Sequence, residues 1–412
     1  MIRKFLIGAA VFASLTHIAS AQTKLATGIW RGVLKTATGN EIPFNFEVSG
    51  SGKQEIAVIN STEHLKVPGV TGSGDSVFIR MPLFDSEFRL KQTGQTLQGH
   101  YIKHLGVRDV AQEFTATANT TYRFFKDAEK PKHNVSGRWS AVFGKEVADK
   151  DTTVGEFKQT GAKVTGTFLT TTGDYRFLEG TVSGDQLYLS CFDGGHAFLF
   201  TAKIADDNTL SEGKFSSGLT GKDIWTAVRD ENAKLPDAYS LAALKPGYKK
   251  RAFNFKDLNG NPVSLEDERF KNKVVIIQIM GSWCPNCMDE TAYMVNYYKK
   301  YHNKGVEVIG LAYERTTDFA KSQKTVAQVK DRFNIPYPLL ITGYTSNKDE
   351  TAKSLPMLTK VVGFPTTIII DKSGDVRKIH TGFSGPGTGH YYTEFISEFE
   401  KLTDDLLAEK AL

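Results

Sequence analysis

Three cysteines occur in the 412 residues, and two of them stand three apart in Trp283-Cys284-Pro285-Asn286-Cys287. Two thiols at that spacing, with the first at the start of a helix, fall on consecutive turns of one face and can close a disulfide. The chemistry this offers is thiol–disulfide exchange. A thiolate attacks a partner's disulfide and a second thiol resolves the mixed disulfide. The order of events assigns attack to Cys284 and resolution to Cys287. Free backbone N–H groups and the helix dipole at a helix N-terminus favour the anion, so the Cys284 thiolate is expected below the ordinary thiol pKa of roughly 8.5. Pro285 suits the first helical turn, where its missing N–H has no partner to lose.

The elements around the pair supply that placement. Val274 to Met280 is a continuous apolar run with one Gln, the pattern of a central strand covered on both faces. Ser282 and Trp283 end it, and a helix is expected from Pro285 to about His302. Val306 to Ala312 then reads as a second buried strand, and Thr317 to about Phe333 as a polar helix. A strand at Tyr337–Thr342, a helix at Lys348–Met357, a strand at Ile368–Ile370 and an edge strand at Val376–His380 follow. Tyr391, Phe395, Phe399, Leu402 and Leu406 form the apolar stripe of a terminal helix. Phe253-Asn254-Phe255 and the Asn259–Pro262 turn read as an opening hairpin. Alternating strands and helices make residues 250–412 an α/β domain.

Residues 250–412 resemble the TlpA/ResA branch of the thioredoxin superfamily, extracytoplasmic thiol–disulfide oxidoreductases. The resemblance rests on Trp-Cys-x-x-Cys after a buried strand and on Phe364-Pro365-Thr366-Thr367, which matches the family's cis-proline loop. It implies a thioredoxin-like fold with Pro365 against the dithiol, flanked by Phe364 and Thr366, keeping metals away and presenting backbone to a substrate segment. In that branch a glutamate three residues past the second cysteine serves proton transfer, and here that residue is Glu290. Many thioredoxins carry a buried aspartate six residues before the first cysteine. This chain has Gln278 there, so Glu290 is the better base. The resemblance also implies a reductase of protein disulfides, as in cytochrome c maturation, recharged by a membrane thiol donor and needing no cofactor.

Upstream, residues 22 to about 230 read as short alternating strands between Gly, Asn and Asp turns. They contain a duplication. Gly28-Ile29-Trp30 is echoed by Gly137-Arg138-Trp139, and Asp75–Leu90 by Asp185–Phe200, with Phe78, Ile79 and Phe88 meeting Tyr188, Leu189 and Phe198. Lys91-Gln92-Thr93-Gly94 and Lys158-Gln159-Thr160-Gly161 mark one hairpin in each copy. Two all-β modules, 22–126 and 133–230, are expected, each with its own core. The opening Gly-x-Trp resembles the start of a lipocalin-type barrel, and a β-sandwich fits the same pattern. A linker is expected over 231–249. The modules are expected to position the client, or, if the chain is chiefly a binding protein, to hold a ligand with the redox domain accessory.

The N-terminus bears Arg3 and Lys4, an apolar run from Phe5 to Leu15, and Ala19-Ser20-Ala21. This is the pattern of a secretory signal peptide over 1–21, cleaved before Gln22, and implies export to the periplasm. The run is short for a bilayer span, and no later segment is apolar enough. Without the leader, 49 basic residues face 46 acidic ones, a near balance that argues against nucleic acid as a partner. So few cysteines exclude a disulfide scaffold. A zinc site needs further ligands near the CxxC, and His100 and His104 lie in strand-and-turn context. Cys191 aligns with Met81 in the repeat and is expected as an inward, inert thiol. A peroxiredoxin-type loop, Pro-x-x-x-Thr/Ser-x-x-Cys, is not supplied by Gln278–Cys284.

Overall fold

The structure is a computed structural model that describes residues 24–106, 108–144, 151–247 and 253–410. The leader expected over 1–21 and the end of the expected linker at 248–249 lie outside those residues. Three sheets follow one another along the chain.

The first sheet is a nine-stranded antiparallel meander rolled so that its opening strand, Gly28–Lys35, pairs with both Glu41–Ser49 and the last strand, Asp109–Ala118. Alternation drives the curl. In Asp109–Ala118 every second residue from Gln112 onward is buried, so one face closes on a core. The cylinder stays split between Glu63–Val67 and Val70–Ser73, which form the two edges of the sheet. Both edges are short, and the first carries Glu63 and Lys66, features that discourage pairing with other chains.

The second sheet closes. Asp151–Thr160 pairs with Gly137–Phe143 on one side and Lys163–Thr170 on the other, completing an eight-stranded barrel. The two-residue strand Gly173–Asp174 is added at its rim. The duplication is visible in equivalent bonds. Trp30 Nε1 donates to the Ala26 carbonyl at 2.8 Å, and Trp139 Nε1 to the Val135 carbonyl at 2.9 Å. Both indoles are fully buried. The two Lys-Gln-Thr-Gly segments each form a hairpin, with Gln92 and Gln159 bonding the turn glycine's carbonyl. They do not occupy equivalent strands, however. One follows the seventh strand of its module and the other the second.

The expectation of two independent cores needs correction. Strand Gln186–Phe192 alternates sides, so that Cys191 enters the core of the closed barrel while the next residue, Phe192, enters that of the split one. There Phe192 stacks on Phe44 at 4.4 Å and meets Tyr101 edge-on. Asn60 locks it by exchanging hydrogen bonds with the Phe192 backbone at 2.8 and 3.2 Å. A split cylinder cannot enclose its own apolar interior, so the second module supplies the missing wall.

Residues 231–247 are largely exposed and are pinned to the domains at a few points. Ala233 joins Val154 and Leu169, and Ala242 joins the core of the following domain, where Leu244 bridges Leu358. The third sheet has seven strands, with Val274–Met280 central. It runs parallel to Val306–Glu314 and antiparallel to Thr366–Ile370, and all seven of its residues are buried. Four helices surround the sheet: α1 (Pro285–Tyr301), α2 (Phe319–Phe333), α3 (Lys348–Ser354) and α4 (His390–Ala408). Helix α3 stops three residues short of the expected Met357. Helices α1 and α4 pack together through Tyr297, whose ring meets Phe399 at 5.1 Å and whose hydroxyl bonds Thr403 at 2.7 Å.

Cys191 is the one free cysteine and is fully buried, which pushes its thiol well above the ordinary range. Ellman's reagent should therefore find no reactive thiol in the native oxidised protein and one per chain after denaturation in guanidinium. A fast native reaction would show that Cys191 is accessible.

Candidate active site

The central strand Val274–Met280 delivers the chain to the end of the sheet, where Gly281-Ser282-Trp283 turns it into α1. Cys284 is the N-cap of that helix in extended conformation, and its Sγ accepts the N–H of Cys287 at 3.2 Å. Pro285 holds the first helical position. Cys284 and Cys287 are joined as a disulfide with Cα atoms 5.2 Å apart. The first turn carries no acidic residue, so nothing there opposes the electrostatic help a helix N-terminus gives a thiolate. Trp283 is fixed from two sides. Its Nε1 donates to the Tyr313 carbonyl at 2.9 Å, and its ring meets Phe364 edge-on at 5.3 Å. The Phe364–Pro365 peptide is cis, and Thr366 Oγ1 donates back to the Gly363 carbonyl at 2.8 Å, bracing that turn.

Beneath the disulfide lies a buried polar chain. Glu290 stands one helical turn beyond Cys287, on the face turned to the sheet, and is wholly buried. One carboxylate oxygen accepts Thr367 Oγ1 at 2.6 Å and the other accepts Gln278 Nε2 at 2.8 Å. The same Gln278 nitrogen lies 3.3 Å from the Cys287 carbonyl, and Gln278 Oε1 accepts Thr291 Oγ1 at 3.2 Å. Burial raises the Glu290 carboxyl to about 7, with the two hydrogen bonds holding it from going higher. An acid in this setting can hold or release a proton near neutrality.

Like Thr291, Thr367 is a member of this chain that sequence reasoning passed over. Its signal was its place as the second residue after Pro365, but its use depends on register. Thr367 lies directly beside Gln278 across the paired strands. The tyrosines Tyr293, Tyr297 and Tyr301 belong to the domain core. His104 pairs with Asp109 at 2.8 Å in the first module, in a different sheet from the dithiol. No cluster of three or more metal-ligating side chains occurs among the described residues. None of the described helices is long and apolar enough to cross a membrane.

The dithiol is not open to solvent. Cys287 is fully buried and Cys284 retains 6% of its surface. The β modules approach it on the Pro285–Asn286 side. Gly195 overlies Pro285, where an added Cβ would lie 2.9 Å from the proline ring, and Phe84 packs on the same glycine. The turn Thr171–Asp174 lies against Asn286 and the cis-proline loop.

The family model described as Redoxin matches residues 231–393, a span that encloses both cysteines, Glu290 and Pro365. The thioredoxin-like protein YneN of Bacillus subtilis is 30% identical over 139 residues, 34% of this chain and 73% of that protein. The thiol-disulfide oxidoreductase ResA of the same organism is 27% identical over 148 residues, 36% of this chain and 74% of its own length. Among solved structures, a thiol:disulfide interchange protein of the thioredoxin family from Chlorobium tepidum is 21% identical. It covers 40% of this chain and all of its own, with a TM-score of 0.30. The similarity reaches nearly three quarters of each Bacillus protein and about a third of this chain. Through that part of its length the chain belongs to the TlpA/ResA-like thiol–disulfide oxidoreductases of the thioredoxin superfamily.

Proposed function

We propose that the protein is a disulfide reductase acting on protein substrates outside the cytoplasm, with Cys284 attacking and Cys287 resolving. The observation that carries this reading is the buried Glu290–Gln278–Thr367 chain directly beneath a dithiol at a helix N-terminus. Exchange proceeds in two displacements. The Cys284 thiolate attacks one client sulfur, forming a mixed disulfide and expelling the other client sulfur as a thiolate. Cys287 passes its proton to Glu290 and attacks Cys284 Sγ. The Cys284–Cys287 bond closes and the client leaves with two thiols and two electrons. A membrane thiol donor then returns the pair to the dithiol by the same chemistry in reverse. The leader-like residues 1–21 support action in the periplasm, and the reducing direction is what the resemblance of residues 250–412 to the TlpA/ResA branch implies. Pro365, with Phe364 and Thr366, shapes the surface beside the sulfurs, and Trp283 packs edge-on against Phe364.

The reduction potential of the Cys284–Cys287 couple tests the direction, with Cys284→Ser as the control that removes it. A value in the thioredoxin range, about −230 to −270 mV, is expected. One near about −120 mV would make the protein an oxidant instead.

Glu290 generates two further expectations. Glu290→Gln should slow the resolving step by roughly 100-fold and erase an inflection near pH 7 in its rate, followed by stopped-flow release of a reduced client. An unchanged profile would remove Glu290 from proton transfer. Its folded pKa lies above the unfolded value, so Glu290 favours folding at low pH and loses that contribution as pH rises through about 7. The gain in stability of Glu290→Gln over the parent should therefore grow from pH 5 to pH 8, by about 3 kcal/mol at most. Denaturant titrations at the two pH values read it.

A further inference from the structure

An attacking sulfur must meet the client's disulfide along the axis of the bond it breaks, which requires open space at Cys284 Sγ. Cys284 keeps only 6% of its surface, so the chain itself restricts that space. The turn between Lys163–Thr170 and Gly173–Asp174, at the rim of the closed barrel, lies along the dithiol face. With the Asn286 amide oriented by its hydrogen bonding, its nitrogen donates to the Asp174 carbonyl at 3.3 Å and its oxygen accepts the Asp174 N–H at 3.2 Å. Asp174 Oδ2 accepts the N–H of Gly385 at 2.8 Å. Thr172 packs on Gly363, immediately before the cis-proline pair, where a Cβ would collide with its methyl group. Thr171 packs on Gly382, where a Cβ would lie 2.8 Å from the Thr171 carbonyl oxygen. Gly173 has φ +153°, and a side chain there would strike Asn286. Backbone pairing from one side chain, glycines on the facing surface and a carboxylate on a free N–H together make a groove fitted to an extended peptide.

One residue holds the turn in that groove. Arg176, two residues past Asp174, is buried and faces three carboxylates drawn from separate parts of the molecule. It lies 2.6 Å from Glu63 of the split cylinder and 3.1 Å from Asp193 of its own barrel, and it is ion-paired with Asp289 on α1. Removing one member of such a buried cluster leaves the others uncompensated.

We propose that the Thr171–Asp174 turn is a built-in occupant of the client groove. A client, an extended polypeptide segment with small residues and an acidic side chain, reaches Cys284 only by displacing it, with Arg176 as the latch. This inference rests on the disulfide-exchange reading above and deepens it. Asn286 and the Gly385 N–H become the groups that read the client's backbone and its carboxylate. The β modules become the gate of the reaction.

Two measurements test the gate. In the first, the reduced full-length protein is treated with iodoacetamide and alkylation of Cys284 is followed by mass spectrometry. Arg176→Gln and Asp174→Ala should react at least roughly tenfold faster than the parent, since each loosens a buried polar anchor of the closed state. Equal rates in parent and variants would overturn the proposal. The second measurement needs no gate variant and so does not depend on their folding. Cys287→Ser is loaded with a ten-residue peptide whose single cysteine carries a thionitrobenzoate group. Cys284 attacks the peptide sulfur and thionitrobenzoate leaves, so its yellow absorbance counts the trapped complex. Hydrogen exchange of residues 170–176 should rise at least tenfold in the trapped complex relative to the unloaded protein. A turn that stays protected with peptide bound to Cys284 would refute the gate and leave the exchange chemistry standing. Failure of thionitrobenzoate release, in the gate variants as well as the parent background, would strike the exchange reading itself.

Discussion

The site depends on one register, the pairing of Val274–Met280 with Thr366–Ile370 that sets Gln278 beside Thr367. Slipping that pairing by a single residue would turn Thr367 to the other face of the sheet and remove a donor from Glu290. It would also shift the cis-proline turn, which leads into the same strand, along the dithiol. One strand pair thus places the acid's hydrogen-bond donors and the loop against which the sulfurs rest. Every residue of both strands is buried, so a slip would leave Gln278, Thr367 and Glu290 buried without their hydrogen-bond partners, and that makes it costly.

Burial does two kinds of work around this register. For Glu290, it raises the carboxyl towards neutrality while two donors keep the ionised form reachable. For Cys191, it has no such donors to offset it, and the thiol is simply silenced. The difference lies in the neighbours. Cys191 sits among Trp139, Phe200 and Leu189 in the barrel core, whereas Glu290 sits where a helix face meets polar residues of two strands. Two sulfurs are left for chemistry because the third is packed as a hydrophobe.

Much of the redox domain was legible from residue order alone, for reasons that can be named. The run Val274–Met280 has no other stable home than a central strand. A CxxC after such a strand, with proline at the second position, must start a helix. Glu290 was marked by the family resemblance, as the glutamate three residues past the second cysteine, and helical spacing then sets it one turn beyond Cys287. Thr367 was hidden because its role comes from lateral pairing, which spacing along the chain does not encode. The β modules were legible as strands and as a repeat but not as one closed and one split barrel. That difference turns on whether Lys163–Thr170 gains a second neighbour, and on the Pro68-Gly69 corner where the first module's edges part. The two Lys-Gln-Thr-Gly hairpins show the hazard of local motifs. Identical residues make identical turns in strands that are not equivalent.

The contacts between modules were the least legible, since they join residues far apart in sequence, yet they share a physical device. Asn60 grips the backbone of Phe192 to hold the second module in the wall of the first. Asn286 grips the backbone of Asp174 to hold the second module on the dithiol. A carboxamide presents one donor and one acceptor in a plane, as a peptide group does, so it can bind main chain without demanding a particular side chain. At Asn60 the grip is backed by Phe192 buried among Phe44, Phe88 and Tyr101, which makes it permanent. At Asn286 the support is polar, an Arg176 cluster and threonines against glycines. Polar contacts lose less than apolar burial when water or another peptide replaces them. The same side chain therefore builds a fixed joint between the two β modules and an exchangeable one over the active cysteines.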